Sequence, residues 1–289
     1  MTLRDRVNEK HTLTLLFPMT TTESALLPPT FAAMAEEMPL PLKRLLVENA
    51  ETSSIAPADL ASALPFLPLA LPMGSAADVV SVDQFIDADG CAALRNAVDE
   101  HGLDAIGDTV DGAADHQLNL TSDELVGLLG SSQVERIVAA AVDLQRSLRH
   151  AGPATRGSDE AATTHSGGSS LPIVEAFVRR YTAHTRPWHP FHQDRAAITV
   201  NVALSDDHAH GGGRLVGLFA DGAAKFERRE GTATIHRSQI VHGVTCMTRG
   251  VRHALIVFLG HEPAVRRVLV RGEDGVERWD RVLVVDEGV

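Results

Sequence analysis

At 289 residues, with 44% hydrophobic and 22% charged side chains, the chain can bury a substantial core as one large domain or two small ones. Its 26 basic and 38 acidic side chains leave a net charge of −12, which disfavours nucleic acid or an anionic membrane as the main partner. Two cysteines, Cys91 and Cys246, exclude a disulfide framework, and without a CxxC pair a thiolate zinc site is disfavoured. The early acidic residues Asp5 and Glu9 make a poor signal peptide. The most apolar stretch, Ala61 to Met73, carries three prolines and falls short of the roughly 20 residues a spanning helix needs. The expectation is a soluble, cytoplasmic protein.

Residues 1–78 read as an irregular N-terminal extension, partly helical, whose function is not legible. A helix is expected within Phe31 to Leu46, broken at Pro39 and Pro41. A more regular unit follows over 79–289. Val79 to Val82 reads as a strand, and Asp87 or Asp89 can cap a helix running to His101. Asp108 to Leu118 reads as loop or edge strand. Thr121 or Ser122 caps the next helix, with Glu124 in its first turn. Val134 to His150 places Ile137, Val138, Ala141, Leu144 and Leu148 on one stripe of an amphipathic helix. This helical support over 79–150 gives way to a Gly/Ser/Thr-rich loop over 151–170, read as a solvated surface loop or a lid.

From Leu171 the pattern turns to strands. Ile173 to Tyr181 alternates, with Ile173, Glu175, Phe177, Arg179 and Tyr181 on one face. Short strands follow over Ala196–Leu204, Arg214–Phe219, Lys225–Arg228, Thr232–Ile235, Ile240–Val244 and His253–Leu259. Strands of this spacing predict a sandwich or jelly-roll barrel over 171–262, with a hairpin around Asp274-Gly275 closing 263–289.

Most of the fourteen histidines fall in the barrel stretch. Three features there carry chemistry: His192-Gln193-Asp194, His242 at 48 positions beyond Asp194, and Arg252 ten positions after that. Two imidazoles and one carboxylate on one side of a ferrous ion leave adjacent positions open for other ligands. An arginine deep in a barrel keeps its charge and grips a carboxylate through two parallel hydrogen bonds.

With these residues the stretch from Tyr181 to Leu259 resembles the Fe(II)/2-oxoglutarate-dependent dioxygenases, in particular their prolyl 4-hydroxylase-like branch. The resemblance extends less strictly back to Val79 and says nothing of residues 1–78. It implies an α+β fold with a mainly β core, a double-stranded β-helix (jelly-roll) with helices packed on it. It also implies that His192, Asp194 and His242 bind Fe(II) and that Arg252 holds the far carboxylate of 2-oxoglutarate, with Tyr181, and less strongly Thr199 and Asn201, lining the same pocket. Hydroxylation of an unactivated C–H would follow, with O2 consumed, succinate and CO2 as co-products, and ascorbate as a reductant such enzymes can use. Because Asp194 fills the position that a small residue takes in the related halogenases, hydroxylation is favoured over halogenation. Arg179, Trp188 and His189 are further candidates for contact with substrate.

Each residue also has a plainer reading. Arg252 could close a barrel-end salt bridge, Arg179 a rim salt bridge, and Tyr181 could belong to the core. His184, His208, His210, His236, His253 and His261 read as ordinary strand or loop residues. The rival from another class is a zinc hydrolase built on His208-Ala209-His210, which lacks the acidic ligands at the spacings that such sites use. A barrel that only binds a ligand is a third class. A small-molecule substrate, an amino acid or biosynthetic intermediate, is expected, with peptidyl-prolyl hydroxylation as the runner-up. Oligomeric state is not legible.

Overall fold

The computed structural model describes residues 27–48, 74–101, 107–150, 171–220, 222–260, 265–271 and 277–283. The architecture follows from eight strands divided equally between two antiparallel sheets. These are β3 (Ile173–Thr182), β4 (His189–His192), β5 (Ile198–Ala203), β6 (Leu215–Phe219), β7 (Gly222–Phe226), β8 (Ala233–Arg237), β9 (Val241–Val244) and β10 (Val251–Leu259). With β1 (Val79–Val82) and β2 (Gln117–Leu120) added at its edges, one sheet runs β1-β8-β5-β10-β3-β2; the other runs β4-β9-β6-β7. Chain segments that cross between two facing sheets in this order make a jelly-roll.

Period-two alternation decides which side chains enter the barrel. On the large sheet Ala176, Val178, Val200, Val202, Leu255 and Val257 point outward into the main apolar cluster. Their neighbours Phe177, Arg179, Tyr181, Thr199, Asn201, Ile256 and Phe258 line the interior cavity. Helices α3 (Ala88–His101), α4 (Ser122–Leu129) and α5 (Ser131–His150) supply the other half of that cluster through Cys91, Leu94, Leu125, Ile137 and Ala141. Each fully buried aliphatic side chain contributes about 1.5–3 kcal/mol of transfer free energy.

Local signals start these helices. Asp87 accepts the Gly90 N–H at 2.8 Å and so caps α3. At α4, Thr121 and Glu124 close a reciprocal capping box. The stripe expected on α5 faces the core, with Ile137 and Ala141 fully buried.

The N-terminal segment covers the smaller sheet. Helix α1 (Pro29–Glu37) ends before Pro39, which becomes the cap of α2 (Leu40–Lys43); a π-turn over Arg44–Glu48 follows. Pro39 breaks the helix as expected, whereas Pro41 sits in the first turn of α2, where its missing N–H needs no partner. Leu42, Leu45 and Leu46 pack on Phe191, Val216, Leu218 and Val241 of the small sheet. The Cys246 N–H donates to the Leu46 carbonyl at 2.6 Å.

Strands β11 (Val265–Arg271) and β12 (Glu277–Leu283) pair antiparallel where the closing hairpin was expected. The 151–170 loop, His261, and residues 1–26 and 49–73 of the N-terminal extension lie outside the described residues. Both cysteines are free and buried. Among the described residues no single helix is long and apolar enough to cross a membrane.

Candidate metal centre

Strand register puts the first two donors together. β4 pairs with β9 so that His192 stands directly across from His242. Asp194 lies two residues past the end of β4, where its N–H donates to the Ser238 carbonyl at 2.8 Å. Its carboxylate then meets both rings, with Oδ1 3.3 Å from His192 Nε2 and Oδ2 3.5 Å from His242 Nε2. One ligand atom from each residue lies within 4.8 Å of the others, close enough to share one ion.

The other ring nitrogens are already used. His192 Nδ1 lies 2.9 Å from the Pro190 carbonyl and His242 Nδ1 3.0 Å from the Ile240 carbonyl. A carbonyl oxygen only accepts, so each Nδ1 carries the proton and each Nε2 keeps its lone pair toward Asp194. Burial, followed by the nearby His192 and His236 rings, pushes His242 down to about 3, so it is neutral at ordinary pH. Burial works against the Asp194 carboxylate, but positive charge placed where the His242 and His192 rings face it outweighs that and holds it below the usual carboxylate range. The Thr199 hydroxyl donates to Asp194 Oδ2 at 2.6 Å and fixes the carboxylate's orientation. This donor set suits a divalent transition metal.

The three residues open into a cavity of about 560 Å3. Tyr181, Thr199 and Asn201 line it beside the triad. Beyond Tyr181 lies Arg252, whose guanidinium carbon sits 4.7 Å from the Tyr181 ring centroid. Arg252 is 2% exposed, and its Nε, Nη1 and Nη2 have no hydrogen-bond partner. A side chain at Gly213, held at φ +65°, would collide first with Met247 Sδ and would also come within 3.1 Å of Arg252 Cδ. A buried guanidinium without an acceptor is what a site for an external carboxylate requires.

The remaining candidates fall in other places. Arg179 lines the cavity, but its guanidinium is committed: Nη2 lies 2.8 Å from Asp108 Oδ2, and Nε donates to Gln117 Oε1 at 3.1 Å. His189 also lines the cavity, its ring 4.2 Å from that of His192. Arg179 and Arg186 approach its two ring nitrogens at 3.0 and 2.8 Å. An imidazolium there would set donor against donor on both sides. Burial and then His192 hold His189 well below its ordinary value, in the neutral form. Trp188 is fully buried edge-on against Phe31, at 4.9 Å between ring centroids, and is not among the cavity-lining residues.

His208 and His210 do not converge on a common point. His208 is exposed, whereas His210 is buried with Nε2 3.5 Å from Asp207 Oδ1. Among the described residues the triad is the only group suited to hold a metal.

Sequence reading missed two contributions to this region. Met34, Met38, Leu42 and Leu46 of the N-terminal segment form one wall of the cavity. Arg228, 2% exposed, donates from Nη1 to Asn201 Oδ1 at 2.8 Å. Nothing in Phe226-Glu227-Arg228-Arg229-Glu230 distinguishes that arginine from its exposed neighbours.

No family model matches the sequence. Over 98 residues the chain is 31% identical to the zebrafish (Danio rerio) "2-oxoglutarate and iron-dependent oxygenase domain-containing protein 2", and 35% identical to the mouse (Mus musculus) protein of that name. The aligned stretch covers 32% of this chain and 28% of each relative's own length. Over that stretch the chain is similar to proteins named for an iron- and 2-oxoglutarate-dependent oxygenase domain. Solved structures similar to this chain include a Pseudomonas putida prolyl-4-hydroxylase, at TM-score 0.43 and 17% identity over 64% of this chain and 93% of that one. Another is the carbocyclase SnoK from nogalamycin biosynthesis, at TM-score 0.47 and 14% identity over 72% and 92%. Overlays at these values carry no weight for the choice of substrate.

Proposed function

We propose that this protein is a non-haem Fe(II)- and 2-oxoglutarate-dependent oxygenase that hydroxylates an unactivated C–H of a small molecule, with succinate and CO2 as co-products. The observation that carries the reading is the convergence of two Nε2 atoms and the Asp194 carboxylate in a cavity also lined by Tyr181, behind whose ring the unsatisfied Arg252 guanidinium lies at 4.7 Å. When bound together, iron, 2-oxoglutarate and O2 supply the oxidising power and electrons that no side chain can provide.

The chain's own residues bind and orient. His192, Asp194 and His242 hold the metal, Thr199 fixes the carboxylate ligand, and Arg252 receives the far carboxylate of the oxo acid with Tyr181 packed against it. Apolar walls from Met34, Met38, Leu42 and Leu46 on one side and Phe177, Ile256 and Phe258 on the other exclude water from the reacting centre.

The small-molecule reading is supported by the cavity's size and by its walling on the N-terminal side, both typical of small-ligand sites. Arg179 is held by Asp108, which favours a substrate without an anionic group at that wall. The acidic net charge supports a site that does not serve nucleic acid, and the two unpaired cysteines support a cytoplasmic setting.

The test is succinate formation from 2-oxoglutarate with Fe(II), with ascorbate present, measured against a panel of apolar small molecules and prolyl peptides. Iron-dependent succinate formation that a small molecule stimulates and that Asp194→Ala abolishes is expected. Stimulation by prolyl peptides alone would favour the peptidyl-prolyl reading. Absence of both turnover and 2-oxoglutarate binding would overturn the oxygenase reading itself.

A further inference from the structure

We infer that Arg228 is a second anchor for the far carboxylate of the oxo acid, acting beside Arg252 to make the site select dicarboxylates over oxo acids with an uncharged tail. The inference rests on the oxygenase reading above and goes beyond it in the residue it names and in the selectivity it assigns.

The argument starts from position. Arg228 follows β7, and its backbone is pinned to the turn after β5: its N–H donates to Asp207 Oδ2 at 2.9 Å and its carbonyl accepts from the Asp207 N–H at 3.0 Å. This pairing turns the Arg228 side chain inward, where Nη1 donates to Asn201 Oδ1. Asn201 and Tyr181 both line the cavity, so Arg228 approaches it through one and Arg252 through the other. Arg228 Nε and Nη2, like all three nitrogens of Arg252, are buried without a hydrogen-bond partner.

Charge balance points the same way. Asp207 is the acid facing both guanidinium groups, and it also meets His210 at 3.5 Å and the partly exposed Arg214 at 4.0 Å. Burial, then Arg252, lowers Arg228 to about 10, so Arg228 remains cationic near neutral pH. Two buried cations facing one carboxylate leave one positive charge uncompensated, which a protein interior tolerates poorly. The far carboxylate of a 2-oxo diacid supplies the missing negative charge and enough acceptor positions for both guanidinium groups. An oxo acid ending in a methyl group supplies neither.

The experiment uses the full-length protein loaded with Co(II) and measures the affinities of 2-oxoglutarate and 2-oxopentanoate by calorimetry. 2-Oxopentanoate has the same chain length but ends in a methyl group. The wild type is expected to prefer the diacid strongly. Arg228→Met should reduce that preference about tenfold, chiefly by weakening 2-oxoglutarate, while binding of 2-oxopentanoate holds within about twofold. Arg228→Lys keeps the charge without the fork, should reduce the preference about threefold, and carries the test if Arg228→Met does not fold. A wild-type preference that persists in these variants but collapses in Arg252→Met would overturn the role of Arg228 alone. A wild type that binds neither oxo acid would overturn both this inference and the oxygenase reading.

Discussion

Four arginines are buried among the described residues, in two pairs satisfied in opposite ways. Arg179 and Arg186 are held by Asp108 and Asp111, with ion-pair distances of 2.8 and 2.9 Å and further contacts to Gln117 and His189. That network ties the segment before β2 to the wall of the metal site. Among the described residues Arg228 and Arg252 face Asp207 as their acid and keep five unpartnered nitrogens between them, against the single Nε of Arg186 in the first pair. A buried charge that carries its own counter-ions is a structural fixture; one that lacks them marks a place for a ligand.

The largest effect should come from breaking the satisfied pair. Asp108→Ala leaves Arg179 without its acid and is expected to cost about 3–5 kcal/mol of stability, measured by denaturant unfolding. Arg252→Met should cost little stability or add some, because it removes a buried cation without a partner. A loss in Arg252→Met equal to that in Asp108→Ala would erase the contrast. The same Arg252→Met protein should lose about a hundredfold in 2-oxoglutarate affinity, roughly 2.7 kcal/mol, measured by calorimetry with Co(II) bound.

A smaller effect concerns pH. His253 follows Arg252 in sequence but points to the helix side of the sheet, and burial, then Arg180, pushes it down to about 4. The unfolded chain takes up a proton near pH 6.5 that the folded protein refuses until about pH 4. Stability is therefore full above that window and falls as pH drops through it, by on the order of 2 kcal/mol. His253→Asn should flatten this slope in unfolding curves between pH 7 and 4, and an unchanged slope would exclude His253 as its source. The smallest effect is expected from Thr199→Val, which removes the hydroxyl that orients Asp194. Co(II) affinity, read from its visible absorption, should fall about tenfold with little change in fold.

Local rules made much of this legible. The alternation in β3, β5 and β10, the capping box at Thr121 and Glu124, and the break at Pro39 each depend on residues a few positions apart. The donor pattern at His192, Asp194, His242 and Arg252 stood out because the chemistry of each residue type limits what it can do in a barrel. Strand β4 was harder, since Pro190 interrupts its pattern and only four residues form it. Long-range partnerships were invisible: Phe31 meets Trp188, and Arg179 meets Asp108, across most of a barrel's worth of chain. Arg228 was hidden because Lys225–Arg228 reads as a short strand, whereas the strand ends at Phe226 and the Asp207 pairing then turns Arg228 inward.

The facing of His192 and His242 across β4 and β9 has a consequence for how the barrel assembles. A slip of one residue between these strands would put Phe191 in place of His192 and turn the imidazole toward the leucines of the N-terminal segment. Only the correct register brings two imidazoles to one carboxylate. A divalent ion would therefore act as a proofreader of the small sheet, stabilising the one pairing that can bind it and leaving every shifted pairing to unravel.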